Sequence, residues 1–291
     1  MANCKKFLIG FIVSTFAFFN LSIYSCFSAD CLAEDFSSEP QKTVAILTSG
    51  GDSPGMNAAI RAFTKTALAN GMKVIGIRHG YEGLLQKDFI ELNYEKVSGI
   101  SSSGGTILHS SRSQEFNTPE GVAKAAQICK DLGIYGIAVI GGDGSFRGAR
   151  DLANAGINCV GIPGTIDNDI KCSEYTVGFD TANNTVMRLL DNVRDTSKSH
   201  DRCFVVEVMG RACGDIALQT GLASEATAIL APEVEFEFKK DIIDRIKTAQ
   251  DNGETHFIVI VAEGIGGVDR ISSQIEKWTT VNKKDTNLET F

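Results

Sequence analysis

An α/β fold, with a parallel sheet covered by helices on both faces, is predicted by three features of the chain. Short apolar runs, too continuous for a sheet wetted on one side, alternate with stretches whose apolar residues recur at helical spacing. Polar, glycine-rich clusters follow several of those runs, where a strand must turn into a helix. The 291 residues are 43% hydrophobic with 29 glycines against 5 prolines, which indicates many tight turns in a globular chain rather than a low-complexity linker.

The elements follow in order from Lys42. Val44–Leu47 is a buried-strand run ending at Ser49-Gly50-Gly51. Asn57–Asn70 carries a helical stripe at Ala59, Ile60, Phe63 and Ala67. Val74–Ile77 reads as the next strand. Thr118 and Pro119 read as N-cap and first residue of a helix that Gly133 ends. Ile134–Ile140, breaking at Gly141-Gly142, and Asn158–Ile162 are strands. Ala182, Val186, Leu189, Leu190 and Val193 form one helical face. Cys203–Met209 is a strand, Gly214–Ala226 a helix. Ile242, Ile243, Ile246 and Ala249 mark another helix, and Phe257–Val261 a last strand.

The N-terminus reads differently. Lys5 and Lys6 precede an apolar run from Phe7 to Phe19, and small residues follow at Ser28, Ala29 and Ala33, the order of a secretory signal. Residues 1–29 are therefore a signal-like hydrophobic segment and 30–41 a polar linker. Asn20 and several hydroxyls interrupt the run before membrane-spanning length, which disfavours an anchor. The alternative is an extension upstream of the natural start. The 8 cysteines include no C-x-x-C pair, so neither a zinc site nor a disulfide scaffold is read from them, and reduced thiols in a cytoplasmic core are expected. With 36 acidic and 28 basic residues the net charge is −8, a poor match to duplex nucleic acid. A local group of cations can still hold an anionic small molecule.

In a sheet of this kind ligands collect outside the carboxyl ends of the strands. There the sequence places Ser49–Asp52, Gly141–Ser145, Thr165–Asp169, Met209–Arg211 and Glu263. Thr48–Asn57 is a glycine-rich turn into a helix, suited to an anion. It is neither a P-loop nor a dinucleotide fingerprint. In Gly141-Gly-Asp-Gly-Ser145 the glycines permit close approach of a phosphate, and Asp143 is a hard oxygen ligand suited to Mg²⁺. Unrelated nucleotide kinases share such a turn, so it names no substrate. Asp167 and Asp169 flank one residue; in an extended segment they share a side and divide the work of base and metal neighbour. Arg112, Arg202 and Arg211 fall near polar strand ends and supply guanidinium groups for phosphoryl oxygens.

Taken together, T-S-G-G-D-S-P-G-M-N-A-A-I-R (48–61), G-G-D-G-S (141–145), P-G-T-I-D-N-D-I (163–170), T-V-G-F-D-T-A (176–182), V-E-V-M-G-R-x-C-G-D (206–215) and Glu263 resemble the bacterial-type ATP-dependent phosphofructokinase family, from about Lys42 to Glu289. The resemblance implies two doubly wound, Rossmann-like parallel-sheet domains: an ATP-binding domain at 42–178 and a fructose 6-phosphate-binding domain at 179–291. It implies ATP held by Gly51, Arg112, Ser113, Gly142, Asp143, Gly144 and Ser145, with Mg²⁺ at Asp143. Thr165, Ile166, Asp167, Met209, Gly210, Arg211 and Glu263 would meet fructose 6-phosphate, and Arg202 would reach in from a neighbouring subunit of a homotetramer. Asp167 would take the proton of the C1 hydroxyl, with Arg112, Thr165 and Arg211 completing the catalytic group. Pyrophosphate-using relatives carry aspartate and lysine at the positions of Gly144 and Gly164, so glycines there imply ATP. The family continues past Glu289-Thr290 into further sugar-phosphate ligands, so the second domain is expected to be truncated. Arg61 and Arg194 persist from the family's effector pocket, whereas Lys65 and Ser103 stand where arginines are common. Two alternatives stay open: another kinase with a Gly-Gly-Asp-Gly turn, and a nucleotide-binding chain without turnover.

Overall fold

The computed structural model describes residues 41–281 and 289–290; the signal-like segment and most of the linker lie outside the described residues. Two sheets carry the fold. The first runs in the order β3-β2-β1-β4-β5-β6. Its strands are β1 (Thr43–Thr48), β2 (Lys73–Ile77), β3 (Phe89–Leu92), β4 (Ile134–Gly141), β5 (Asn158–Thr165) and β6 (Val177–Gly178). The second runs β10-β7-β9-β8, with β7 (Arg202–Val208), β8 (Ala228–Leu230), β9 (Phe257–Ala262) and β10 (Glu289–Thr290). The helices between them are α1 (Met56–Ala69), α2 (Gly80–Gln86), α3 (Pro119–Asp131), α4 (Asp143–Asn154), α5 (Phe179–His200), α6 (Asp215–Ala223), α7 (Asp244–Asp251) and α8 (Val268–Val281).

Alternation along each strand sends side chains to two cores per sheet. In β1, Ala45 and Leu47 pack with Tyr81, Leu84, Cys129 and Leu152 under α2, α3 and α4. Val44 and Ile46 pack with Met56 and Ile60 of α1 on the opposite face. In β9, Phe257, Val259 and Val261 meet Ile242, Ile246, Ile271 and Ile275. Ile258, Ile260 and Ala262 face Phe179, Leu190 and Ile216 of α5 and α6. Both sheets are thus covered on both faces, as the continuous apolar runs predict. The chain leaves the first sheet at Gly178, and the next residue, Phe179, is buried in the second sheet's core.

Four expectations are corrected. The first sheet is not wholly parallel: β3 pairs antiparallel to β2, with Ile77 opposite Phe89. The connection 78–88 holds only the seven-residue α2 and folds the chain straight back, too short for the crossover that a parallel partner needs. On α5, Leu189 is 59% exposed. The buried positions are Phe179, Asn183, Leu190 and Ser197. Two polar residues occupy the inward stripe, and an apolar count alone rotates the face by about 50°. The helix expected around Ile242–Ala249 begins as a π-turn at Lys239–Ile243 before α7. Asn168 is left-handed, at φ 53°, so the segment between Asp167 and Asp169 is a turn and not extended. The capping expectation holds: Thr118 caps α3, its Oγ1 accepting the Gly121 N–H at 3.1 Å.

Candidate active site

The order of the first sheet reverses between β1 and β4: from β1 the chain moves outward to β2 and β3, and from β4 the other way to β5 and β6. A crevice opens at such a switch point, beyond the carboxyl ends of the two strands. Ser49–Asp52 follows β1 and Gly142–Ser145 follows β4, so both glycine-rich turns reach the same place. They are stitched together. The Ser49 N–H donates to Ile140 O at 2.9 Å, and the Ser145 hydroxyl donates to Ser49 O at 3.0 Å. Tyr81 donates its phenol to Ser145 O at 2.6 Å from below. A Cβ on Gly141 would overlap both the Ser145 hydroxyl and Ser49 O, so glycine is needed for the turns to meet. Ser145 is 5% exposed, and its hydroxyl is spent on this stitch. What it offers a ligand is its N–H, in the first turn of α4 with those of Asp143 and Gly144, where helix donors lack internal acceptors.

Gly51 and Gly144 face open space, since a Cβ on either would touch nothing within 4 Å. Gly164 differs: its Cβ would lie 2.7 Å from Ile140 Cγ2 and 3.5 Å from Met56 Cε. The glycine at 164 is therefore set by packing between β5, β4 and α1. Asp143 is half-exposed and pairs with Arg147 one turn along α4. Among the described residues no group of three or more metal-ligating side chains gathers. One half-exposed carboxylate beside a glycine-lined helix terminus suits a Mg²⁺ that takes its other ligands from phosphates and water.

Arg112 is placed by a strap across the crest. The Thr48 hydroxyl, at the end of β1, donates to His109 O at 2.7 Å, and the Ser111 hydroxyl donates to His79 O at 2.9 Å beyond the end of β2. Arg112 follows, exposed. Ser113 is 8% exposed, and its Oγ accepts the Phe116 N–H at 3.1 Å, so it holds the strap's end rather than facing the crevice.

Past β5, Thr165 adjoins the phosphate turn: a Cβ on Gly142 would lie 3.6 Å from Thr165 Cβ. Thr165 Oγ1 accepts the Asp167 N–H at 3.1 Å, and Ile166 packs at the edge of the second sheet's core. Burial raises the proton affinity of Asp167 above the usual carboxylate range. Asp169 and Glu263 raise it further, while the Arg211 charge and a side-chain hydrogen bond from the Thr165 hydroxyl oppose them. Asp169, Arg211 and Glu263 are therefore within electrostatic reach of Asp167, although Arg211 and Glu263 come from other strand ends. Glu263, at the end of β9, accepts the N–H groups of Gly210 at 3.3 Å and Arg211 at 2.9 Å. This holds Arg211 in a left-handed conformation at φ 54°. Met209, expected inside the strand, lies just past β7 and is 65% exposed at the crest.

Arg202 does not join this group. It is the first residue of β7, and Met209 lies beyond the strand's last residue, Val208. The two ends are about 20 Å apart at strand rise. The grouping of Arg202 with the crest arginines is corrected. The sequence reading missed Asn168, Thr176, Asp215 and Glu233, which brace the crest. Asn168, Thr176 and Asp215 stand inside the motifs already quoted, which was a signal; Glu233 gave none.

A helix N-terminus opened by glycines at the switch point, with a half-buried carboxylate two residues past the adjoining Thr165, is an α/β arrangement suited to phosphoryl transfer. The family model for phosphofructokinase matches residues 43–290, and the chain belongs to that family. It is 51% identical over 247 residues to proteins named ATP-dependent 6-phosphofructokinase from Clostridium botulinum and Finegoldia magna, covering 85% of this chain and 77% of theirs. A phosphofructokinase structure from Saccharomyces cerevisiae superposes with TM-score 0.75 at 34% identity, covering 86% of this chain and 37% of the yeast chain. A pyrophosphate-dependent phosphofructokinase from Marinobacter aquaeolei, at TM-score 0.71 and 22% identity over 86% of this chain and 67% of its own, shares the fold. No helix among the described residues is long and apolar enough to cross a membrane.

Proposed function

We propose that this chain is an ATP-dependent 6-phosphofructokinase, moving the γ-phosphoryl group of ATP to the C1 hydroxyl of fructose 6-phosphate to give fructose 1,6-bisphosphate and ADP, a glycolytic step. The observation that carries the reading is Asp167, a carboxylate with raised proton affinity at the meeting point of the two sheets, beside the phosphate turn and within reach of Arg211.

The chemistry follows from the placement. Asp167 accepts the C1 hydroxyl proton as the hydroxyl oxygen bonds to the γ-phosphorus and the bond to the β-phosphate oxygen breaks. A base of raised proton affinity is better matched to a hydroxyl, and a placed base contributes about 10²–10⁴ in rate. The N–H groups opening α4, with Gly51 and Gly142–Ser145, cradle the phosphates, and Arg112 offsets charge on the group in transfer. Asp143 would hold Mg²⁺, which when bound supplies charge neutralisation between the phosphates. Thr165, Ile166, Met209, Gly210, Arg211 and Glu263 orient the sugar. Arg202 serves the site of a neighbouring subunit, and the assembly is a homotetramer in the cytoplasm. Arg61 and Arg194 belong to an effector site.

The test is direct. The purified chain is given Mg·ATP and fructose 6-phosphate, and ADP and the bisphosphate are quantified together. One ADP per bisphosphate is expected, with no product when pyrophosphate replaces ATP. Nucleotide binding without bisphosphate formation would refute the assignment.

A further inference from the structure

Asn168 stands between the two carboxylates of the Thr165–Asp169 turn, left-handed at φ 53°. Asparagine enters that region more readily than other non-glycine residues. Both ends of its amide are used. Oδ1 accepts the Thr176 N–H at 3.1 Å. Nδ2 donates to Glu174 O at 3.3 Å and to Asp215 Oδ2 at 2.9 Å. The first two bonds close Asn168's own loop, which the Thr176 hydroxyl finishes by donating to Thr165 O at 2.6 Å.

The bond to Asp215 is of another kind. Asp215 opens α6, 47 residues on, and belongs to the half of the crest built by the second sheet. Just before it run Arg211 and Gly214. The Arg211 N–H is held by Glu263 at 2.9 Å, and the Gly214 N–H by Glu233 at 2.8 Å. A continuous polar path therefore joins the Asp167 turn to the Arg211 loop: Asn168, Asp215, then a loop clipped at two points by glutamates. A donor on a carboxylate is among the stronger neutral-to-charged hydrogen bonds. Aspartate at 168 would have no donor and would face Asp215 with like charge.

We propose that Asn168 is a positioning residue whose amide latches the catalytic turn of the first sheet onto Asp215 of the second, fixing where Asp167 stands relative to Arg211. The inference rests on the kinase reading above. It predicts that the bond matters by joining two elements, whichever partner supplies the proton.

The test uses the full 291-residue chain and three variants. Asn168→Asp is expected to lose about 100-fold in kcat, the scale set by a misplacement of about 1 Å, with KM for ATP held within about threefold. Asn168→Gly keeps the left-handed backbone without strain, drops the latch, and is expected to lose a similar factor. Asn168→Asp combined with Asp215→Asn exchanges acceptor and donor across the latch while the Glu174 O bond stays lost, and is expected to raise kcat about tenfold above Asn168→Asp. A role in general stability alone would not give that recovery. A swap no better than Asn168→Asp, or full kcat in Asn168→Gly, overturns the proposal. A wild-type chain without turnover refutes the kinase reading by itself. The latch is then judged by unfolding midpoints of Asn168→Gly, Asp215→Ala and the double variant. Losses that fail to add support it, and additive losses overturn it.

Discussion

Replacing Asp167 with asparagine separates what the carboxylate does for turnover from what it does to the fold. Asparagine has nearly the same shape, and the hydrogen bond that Thr165 Oγ1 accepts uses the backbone N–H of residue 167, which the substitution keeps. The turn's geometry should survive while the base is lost. The expected fall in kcat is about 10²–10⁴, or about 2.7–5.4 kcal/mol of transition-state stabilisation. The stability effect runs the other way. Burial first, and Asp169 next, raise the carboxyl's proton affinity in the folded chain. A carboxylate of raised pKa is fully compatible with the fold only below its unfolded value, and stability is lost as pH climbs through the folded value. The asparagine side chain carries no such charge, so the variant should unfold at a higher temperature than wild type at pH 8, with the gap closing at acid pH where wild-type Asp167 is protonated. Coupled detection of ADP from pH 5 to 9, with thermal unfolding across the same range, checks both. The acid limb of wild-type kcat should vanish in the variant. A variant within threefold of wild type in kcat, or one less stable at pH 8 than at pH 4 relative to wild type, refutes the placement of Asp167.

Three further outcomes are expected. Gly141→Ala drives a methyl group into the Ser145–Ser49 stitch, so overpacking and a lost buried hydrogen bond together should cost about 2–4 kcal/mol, lowering the midpoint by about 10 °C and weakening ATP binding in calorimetry. Arg112→Ala should lower kcat about 10³-fold with KM for fructose 6-phosphate little changed, since the side chain acts on the transferring group; an unaltered kcat in stopped-time product assays would contradict this. Alkylation at pH 8 followed by peptide mass mapping should modify exposed Cys172 well before Cys129, Cys159 and Cys203, whose thiols burial pushes up to about 12, 11 and 12.

Buried strands announced themselves in the sequence because each fills two cores at once. Val44–Leu47 and Phe257–Ala262 have no polar residue to blur them. Of the elements missed, which include α2, α4 and α8, two are strands whose placement is decided by a neighbour. β3 is four residues long and exists because β2 offers an edge. β8, Ala228–Leu230, is three residues long and is defined by its pairing with β9. The inward face of α5 was misjudged because Asn183 is held there by Gln219, through a 2.9 Å bond between helices. The candidate site motifs stand out in the sequence as residue types, since glycines, acids and arginines cluster beside strand ends. Their division of labour does not. Ser113 and Ser145 read as ligand contacts, yet each hydroxyl is committed to protein, to Phe116 N and Ser49 O. A hydroxyl's partner depends on which backbone group lies within about 3 Å, and nothing in local sequence records that.

The left-handed residues show how the crest keeps its shape. Non-glycine residues in this conformation cost about 1–3 kcal/mol each and persist only where surroundings over-determine them. His79, His109, Asn168 and Arg211 are four such residues, and all stand beyond strand ends. Each is pinned from another element. The His79 N–H donates to Leu108 O at 2.8 Å, and His109 O accepts the Thr48 hydroxyl. Asn168 reaches Asp215, and the Arg211 N–H reaches Glu263. Glycine at these four positions would relieve the strain but would remove the side chains, three of which make contacts described above or stack: the His79 and His109 rings lie 5.1 Å apart and nearly parallel. Thus the crest holds its cations and carboxylates in place through polar contacts between distant segments, before any phosphate arrives. Preorganised groups of this kind need little rearrangement as charge develops, which is the condition under which electrostatic stabilisation is most effective. The same logic explains why carboxylates outnumber the catalytic need at this end of the sheets. Glu233 and Glu263 spend their charge on backbone N–H groups, and Asp215 on Asn168. Among the acids braced here, it is Asp167 that combines raised proton affinity with a position beside the phosphate turn.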